Sequence, residues 1–433
     1  MLEIILLIIF AFSLFLCLGM GLSILIALVF GFFLFFSYGL MKKHTVSEMC
    51  SLAFSGIKTV KNILITFVLI GMITAIWRSG GTIAYIVYHS TKLCNPRIMV
   101  LITFLLCCLI SFLTGTAFGT AATMGVICVT MANSMGIPVL FSGGAVLAGS
   151  YFGDRCSPMS TSALLVSTLT DTDLYRNIKN MVKTSLLPFF FTCLIYIAAG
   201  MFFEVHQDTS GVQAIFSKFF VLHPAVVIPA IVILLLSLFK VNVKITMSIS
   251  ILCGAVISIF IQGISPFELL RIAIFGYQPV DAEVSAILSG GGILSMTKVF
   301  CIVCLSSCYA GMFNGTGMLD GIREGMTRLG EKLTPFGGIL VTSIVTGMIS
   351  CNQTLTIMLT QQLCCDVEKD SETMATHLEN TAVVISPLIP WTIAGAVPLA
   401  SVGAPTVCIL TACYLYLLPV WNYCHAITPK SYN

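Results

Sequence analysis

An aspartate, an arginine and three hydroxyls fall within eight residues of one another, at Asp154, Arg155, Ser157, Ser160 and Thr161, in a chain that is otherwise oily. Ionisable groups at membrane depth are costly and persist mainly where they face a bundle interior or a wet cavity, so this stretch reads as a binding site. Gly153 and Pro158 suggest that the helix is interrupted here. Interrupted backbone frees carbonyls and N–H groups, which survive in a membrane only where protein buries them or where they line a cavity. A carboxylate in such a place takes up a proton or a cation in turn, which is the chemistry of exchange. Arg155 has two readings: it pairs with Asp154, or it turns away to another carboxylate or a phosphate. A plain structural ion pair is the bland alternative.

A second polar set lies far along the chain. Ser350-Cys351-Asn352-Gln353-Thr354 precedes His377-Leu378-Glu379-Asn380-Thr381 and Ser386-Pro387. With Thr114, Thr116 and Thr120 these add a carboxylate, amides and more hydroxyls. Such hard oxygen donors suit a small hard cation such as Na⁺, and the six histidines show no spacing that favours a transition metal. The candidate cation or substrate contacts are therefore Asp154, Ser157, Ser160, Thr161, Thr114, Thr116, Thr120, Asn352, Gln353, Thr354, Glu379, Asn380 and Ser386, with Arg155 as the partner of a carboxylate. Ordinary helix-to-helix hydrogen bonding competes as an account of Asn352 and Gln353, and the bland alternative for Glu379 is the end of a solvated loop that holds Asp366, Glu368, Lys369, Asp370 and Glu372.

The elements that position these residues must span a membrane. Of 433 residues, 58% are hydrophobic and only 9% charged, with a mean hydropathy of +1.03, far from the roughly 25% charged content of soluble domains. A net charge of +3 excludes nucleic acid as a partner; lipid is the expected surrounding. The 18 cysteines are scattered through apolar runs, Cys107 and Cys108 for example, and behave as oil; Cys301 and Cys304 are read as core. The two apolar runs Ile4 to Leu18 and Leu22 to Leu40, with Glu3 and no basic start, read as membrane helices rather than an export signal. Further runs lie at about 62–77, 98–113, 184–203, 221–239, 245–261, 299–313, 336–346 and 406–421. Between them lie two regions too broken for ordinary spans, 114–170 and 347–405. Charged breaks include Lys42 to Lys61, the loop 262–292 with Asp281 and Glu283, and the segment Asp320 to Lys332. Trp391 and Trp421 read as interfacial anchors or packing, and His44, Lys58 and Lys61 as a solvated face.

Matched features divide the chain. Thr346-Gly347 lies 232 residues after Thr114-Gly115, and Ser386-Pro387 lies 229 after Ser157-Pro158. Simple alternation makes the two copies inverted, the arrangement of secondary transporters with interrupted helices near mid-membrane. The fold expected is an all-α polytopic membrane protein of about ten to twelve spans, in which two inverted repeats contain broken helices or re-entrant hairpins. Its parts are an N-terminal helix pair and loop at 1–57, a first transport repeat at 58–203, linking helices and a loop at 204–292, and a second repeat at 293–433. Positive charge sets the orientation. With Lys42 to Lys61 cytoplasmic, Arg176, Lys179, Lys183, Lys240, Lys244, Arg323, Arg328, Lys332 and Lys430 fall on the same side, Arg78, Lys92 and Arg97 fall opposite, and both termini are cytoplasmic, in the cell (inner) membrane.

Phe152-Gly153-Asp154-Arg155-Cys156-Ser157-Pro158-Met159-Ser160 resembles the FGD[KR]xSPLSDT motif of the NhaC-type Na⁺/H⁺ antiporter family. Leu378-Glu379-Asn380-Thr381 through Ser386-Pro387-Leu388-Ile389-Pro390-Trp391 is similar to its LEDSGTVTSPLIPW segment, and Thr346-Gly347 with Asn352-Gln353 to its TGNQ element. The resemblance implies a cytoplasmic-membrane transporter that exchanges Na⁺ for H⁺, or in some members organic acids, and needs no cofactor beyond the transported ion. Two acids of the pattern are absent: Thr161 stands in place of one and Asn380 in place of the other, while Asp154 and Glu379 are kept. With fewer carboxylates, a Na⁺- or H⁺-coupled carrier of an organic acid or amino acid is the second reading. An enzyme finds no nucleophile motif, and a channel does not account for acids confined to two repeat-related breaks. The partners expected are lipid and a small cation, with an organic anion or amino acid for the second reading, and the arrangement leaves room for a homodimer.

Overall fold

The computed structural model describes residues 2–20, 22–59, 61–93, 95–203, 216–239, 241–281, 284–285, 288–318 and 334–427. Glu283 and the basic positions Lys240, Arg323, Arg328, Lys332 and Lys430, with the charged segment from Asp320 to Lys332, lie outside the described residues. Lipid offers a backbone no hydrogen-bond partner, so so apolar a chain must close its bonds within each segment. Every regular element among the described residues is accordingly a helix, apart from one isolated bridge between Tyr277 and Gly290.

In chain order the helices are α1 (Leu2–Gly19), α2 (Ile24–Met41), α3 (Val46–Thr59), α4 (Lys61–Ser79), α5 (Thr82–Leu93), α6 (Met99–Thr114) and α7 (Ala117–Ser134). Next come α8 (Val139–Cys156), α9 (Thr161–Thr170), α10 (Leu174–Met201), α11 (Ile228–Leu238), α12 (Val243–Phe260) and α13 (Pro266–Phe275). The remainder holds α14 (Thr297–Thr316), α15 (Pro335–Ser350), α16 (Gln353–Cys364), α17 (Ser371–Asn380), α18 (Ile393–Ser401) and α19 (Cys413–Ile427). Among the described residues, five helices are long and apolar enough to cross a membrane alone, and two bent pairs, 64–89 at 62° and 371–401 at 57°, are broken or re-entrant spans. Shorter apolar helices fill the rest. This is an all-α polytopic membrane protein.

The outer helices show why. On α1, Leu7, Phe10, Leu14 and Cys17 are buried at helical spacing, yet the opposite face presents Ile5, Ile8, Phe12 and Leu16. A helix apolar all round is at home in lipid, not in water. The buried stripe joins α2 and α14 in a core where Phe35 stacks edge-on against Phe10, Tyr309 and Phe313 at 5.1, 5.2 and 4.7 Å. Glu3, the early charge, pairs with Lys42 at 3.1 Å and accepts from Tyr38 at 2.9 Å.

Several sequence expectations need correcting. The segment from Lys42 to Lys61 is no loop: α3 occupies it and packs on α14. The loop 262–292 contains α13, and Arg176, Lys179 and Lys183 ride on the first turns of α10, which begins ten residues before the expected span. The region 114–170 is less broken than its composition implied, since α7 and α8 each run 18 residues. Gly153 in particular breaks nothing. It lies inside α8, where a Cβ would meet the backbone of Ser111 and Phe112 at 2.2–2.3 Å, so its role is to let α6 and α8 touch.

The breaks themselves come in matched pairs. α6 ends on Gly115 in the left-handed region (φ 65°) and Thr116 restarts the chain from extended backbone (φ −144°, ψ 123°). α15 ends on Cys351 (φ 53°) and Asn352 (φ −141°, ψ 129°) repeats the conformation. The second break spans Ser157 to Ser160 after α8 and Ile389 to Thr392 before α18, with the same three-residue step between the residue that ends one helix and the residue that caps the next. Each restart is capped by its own side chain: Thr116 accepts from Gly119 N, Ser160 from Ser162 and Ala163 N, Asn352 from Thr354 N and Thr392 from Gly395 N. The register therefore differs from the dipeptide match. Thr346-Gly347 lies inside α15, and it is Ser350 that faces Thr356 at 2.7 Å as Thr114 faces Thr120 at 3.4 Å. The helix runs on one turn past Gly347 before Cys351 ends it.

The copies also trade elements. α9 packs with α16 and α17 in a core of Val166, Ile357 and Leu378, while Ile393, Ala394 and Val397 of α18 join the core of α6, α7 and α8. The second break of each copy is thus carried into the other.

Candidate functional site

That exchange brings four helix starts to one place. A cavity of about 210 Å³ is lined by Thr116, Ala117 and Phe118 from α7, Thr161 from α9, Asn352, Gln353 and Thr354 from α16, and Ile393 and Ala394 from α18. Tyr151 and Asp154 complete it from the last turns of α8. Asp154 is 95% removed from solvent, at 5% exposure. Its carboxylate accepts from Ser162 Oγ at 3.2 Å and from Ser160 Oγ at 3.5 Å, and the Gln353 amide and the Ala117 N–H face it. A buried carboxylate held by several donors is stable in place yet keeps lone pairs for a cation in the cavity. Gln353 is itself anchored, donating to Val383 O at 3.1 Å.

Six of the residues singled out from the sequence, Asp154, Thr116, Thr161, Asn352, Gln353 and Thr354, therefore line one cavity. Others stand apart from the lining. Thr114 and Thr120 bond each other behind the first break, Ser157 caps Met159 N at 3.1 Å, and Ser160 reaches Asp154 from behind. Ser386 is buried away from the lining, and its hydroxyl makes no hydrogen bond among the described residues. Reading motifs missed two residues. Ser162 lies two positions past the cap of α9, where a hydroxyl points back at the end of α8; its spacing from Ser160 was the available signal. Tyr151 sits three residues before Asp154 on the same helical face, and its hydroxyl donates to Ala394 O at 2.8 Å, tying α8 to the start of α18.

Arg155 turns away from Asp154. The guanidinium is fully buried and donates from Nε to Glu379 O at 3.0 Å, from Nη1 to Tyr414 OH at 3.2 Å, Met181 O at 3.3 Å and Ser185 Oγ, and from Nη2 to Thr184 Oγ1 at 3.1 Å and Asn380 Oδ1. One side chain thereby joins α8, α10, α17 and α19. Asn380 belongs to this knot rather than to the cavity. Among the described ion pairs none involves Arg155, so the ion-pair reading fails and so does capture of a second carboxylate in this state. Glu379 is not the end of a solvated loop either: it lies in the last turn of α17, fully buried, with neither carboxyl oxygen hydrogen-bonded. Trp391 is buried packing, its Nε1 donating to Met348 O at 3.0 Å. A wider groove of about 820 Å³ beside α13 is lined in part by Glu268 and Arg271, which pair with each other at 3.5 Å on the exterior.

Helix breaks from two chain segments converging on a buried carboxylate are the architecture of ion-coupled secondary transporters. Comparison with known proteins gives the family. The model of the Na⁺/H⁺ antiporter family matches residues 1–170 and 149–423, and the chain belongs to that family. Curated relatives include the malate-2H⁺/Na⁺-lactate antiporter of Bacillus subtilis (strain 168), 24% identical over 94% of this chain and 88% of the relative. The Na⁺/H⁺ antiporter NhaC of Alkalihalophilus pseudofirmus is 23% identical over 86% and 83%. The arginine/ornithine antiporter ArcD of Halobacterium salinarum is 26% identical over 82% and 76%. The chain is thus a membrane transporter by family.

Proposed function

We propose that the protein moves Na⁺ in exchange for H⁺ across the cell membrane, with the Asp154 cavity as the cation site and the two copies, inverted relative to each other, alternating its access. The observation that carries this reading is the single carboxylate of Asp154 among the oxygens of Thr116, Thr161, Asn352, Gln353 and Thr354, drawn from both copies. Rocking one copy against the other changes which side the cavity faces without rebuilding it. Purified protein in liposomes that enclose a pH-reporting dye tests it: Na⁺ added outside drives a pH change inside, K⁺ does not, and Asp154→Asn abolishes the response. No Na⁺-driven pH change in the unmodified protein removes the reading.

One observation favours a second reading, a coupled carrier of an organic acid or amino acid. At about 30 Å³ per water the cavity holds roughly seven waters, more than a bare ion needs. The starts of α7, α9, α16 and α18 border it, and helix starts favour a carboxylate. The relatives named for malate and lactate, and for arginine and ornithine, fit that chemistry. Substrate-dependent Na⁺ uptake in the absence of a pH gradient separates the two. Both termini face the cytoplasm in this proposal, with about ten to twelve crossings, and labelling of single cysteines from either side checks it. The protein works in lipid without a cofactor other than the coupling ion, and cross-linking in membranes reports whether it is a homodimer.

A further inference from the structure

The Glu379 side chain stands outside the cavity, fully buried in the last turn of α17, and neither of its carboxyl oxygens makes a hydrogen bond among the described residues. An ionised carboxylate so placed, deprived of water and of donors, carries the full cost of desolvation, whereas the protonated acid does not. The groups that face it are few. α8 contributes Arg155, Cys156 and Asp154, and α19 contributes Tyr414 through Arg155. α10 contributes the neutral Thr184 and Ser185, since its Lys179 and Lys183 are exposed and its Arg176 pairs with Glu372 at 2.8 Å at the far end of α17. α9 and α15 carry no ionisable residue, and α16 only Cys364. His377, on the same helix, is stacked on Phe336. Arg155 is the complement of Glu379: a buried cation whose partners are all neutral, already bonded to the main-chain carbonyl of Glu379.

Resting on the exchange reading above, we propose that Glu379 is the proton-carrying group of the cycle, neutral in this state, and that its carboxylate moves onto Arg155 once the proton has left. The step is a simple dissociation. The carboxyl O–H bond breaks, the proton passes to water on the side then open, and the new carboxylate replaces Asn380 Oδ1 on the guanidinium. Because Arg155 belongs to α8 and Glu379 to α17, the pair pulls the two copies together when the proton is gone. Cation and proton then bind at separate places, joined through the adjacent residues Asp154 and Arg155.

The test uses the full protein in liposomes, with radioactive Na⁺ and an enclosed pH dye. Glu379→Gln is expected to lower Na⁺-driven proton movement at least tenfold while Na⁺-for-Na⁺ exchange persists, and Asp154→Asn to lose both. Proton movement in Glu379→Gln equal to that of the unmodified protein overturns the proposal. Infrared titration gives a readout independent of transport. The stretch of a protonated carboxyl in dry surroundings is expected in the unmodified protein and in Asp154→Asn, and absent from Glu379→Gln; its persistence in Glu379→Gln overturns the proposal even if Na⁺ proves not to be the substrate. Should Glu379→Gln not fold, Glu379→Asp must shift that stretch, and an unshifted band counts against the assignment.

Discussion

Asp154 and Glu379 are both acidic, both nearly or fully buried and both in the last turn of a helix, yet their surroundings are opposite. Asp154 is dressed with two serine hydroxyls and opens on a cavity shared by four helix starts. Glu379 has no hydrogen-bond donor to its carboxyl among the described residues and does not line that cavity. A carboxylate with donors is prepared for a cation, and one without is prepared for a proton. Arg155 stands between them, and at Asn380 its charge meets a neutral amide oxygen rather than a carboxylate.

Arg155 offers the hardest blow to this contrast. Arg155→Met strands acceptors on three helices, α10, α17 and α19, and is expected to destabilise the protein by about 3 kcal/mol; thermal unfolding in detergent measures it, and Arg155→Lys, with fewer donors, falls between. A change within error means that the guanidinium does not hold the copies together. Next in size, Asp154→Asn is expected to weaken Na⁺ binding about 100-fold, or ~3 kcal/mol. Equilibrium binding reads that out, and an equal loss in Glu379→Gln erases the distinction between the two acids.

The matched breaks sharpen the comparison at smaller scale. Gly115→Ala puts a Cβ 2.5 Å from the Met159 backbone at φ 65°, and is expected to cost about 2 kcal/mol. Cys351→Gly relieves the same left-handed conformation in the other copy, worth about 1 kcal/mol, but empties a fully buried place in the core, so a smaller net loss than that of Gly115→Ala is expected. Paired melting curves of the two variants show whether the breaks are equivalent. Asn380→Asp turns the neutral acceptor of Arg155 into a charged one, which is expected to add about 1 kcal/mol of stability and to slow proton movement, because Arg155 is no longer free for Glu379. Faster turnover in Asn380→Asp would falsify the exchange of partners on Arg155.

The smallest effect lies at the exposed start of α17. Asp370 accepts from Thr373 Oγ1 at 2.6 Å and from Thr373 N at 2.9 Å, and these hydrogen bonds hold its carboxyl below the ordinary carboxylate range. A lowered native value means that the cap is present above the unfolded value and is lost as pH falls through the native one. Amide exchange in the first turn of α17 is expected to speed up on acidification, after correction for intrinsic rates, and Asp370→Ala to remove that dependence. An acid response that survives in Asp370→Ala assigns it elsewhere.

The amino-acid sequence alone determined that this chain lives in lipid and that its helices are interrupted in two regions, and it singled out Asp154, Thr116, Thr161, Asn352, Gln353 and Thr354 among the polar residues that the fold then gathers round one cavity. Composition is a property of the whole chain, and it survives any packing. The register of the repeat was one turn out, because Thr346-Gly347 reads like a break while tertiary contacts carry α15 on to Cys351. Gly153 looked like a breaker for the same reason, when its missing Cβ serves the approach of α6. Which acid opens on the cavity, where Arg155 points and that Tyr151 ties α8 to α18 were decided only when the two regions packed together. Those contacts join residues more than 200 positions apart, and no local pattern encodes the direction in which a side chain will find its partner.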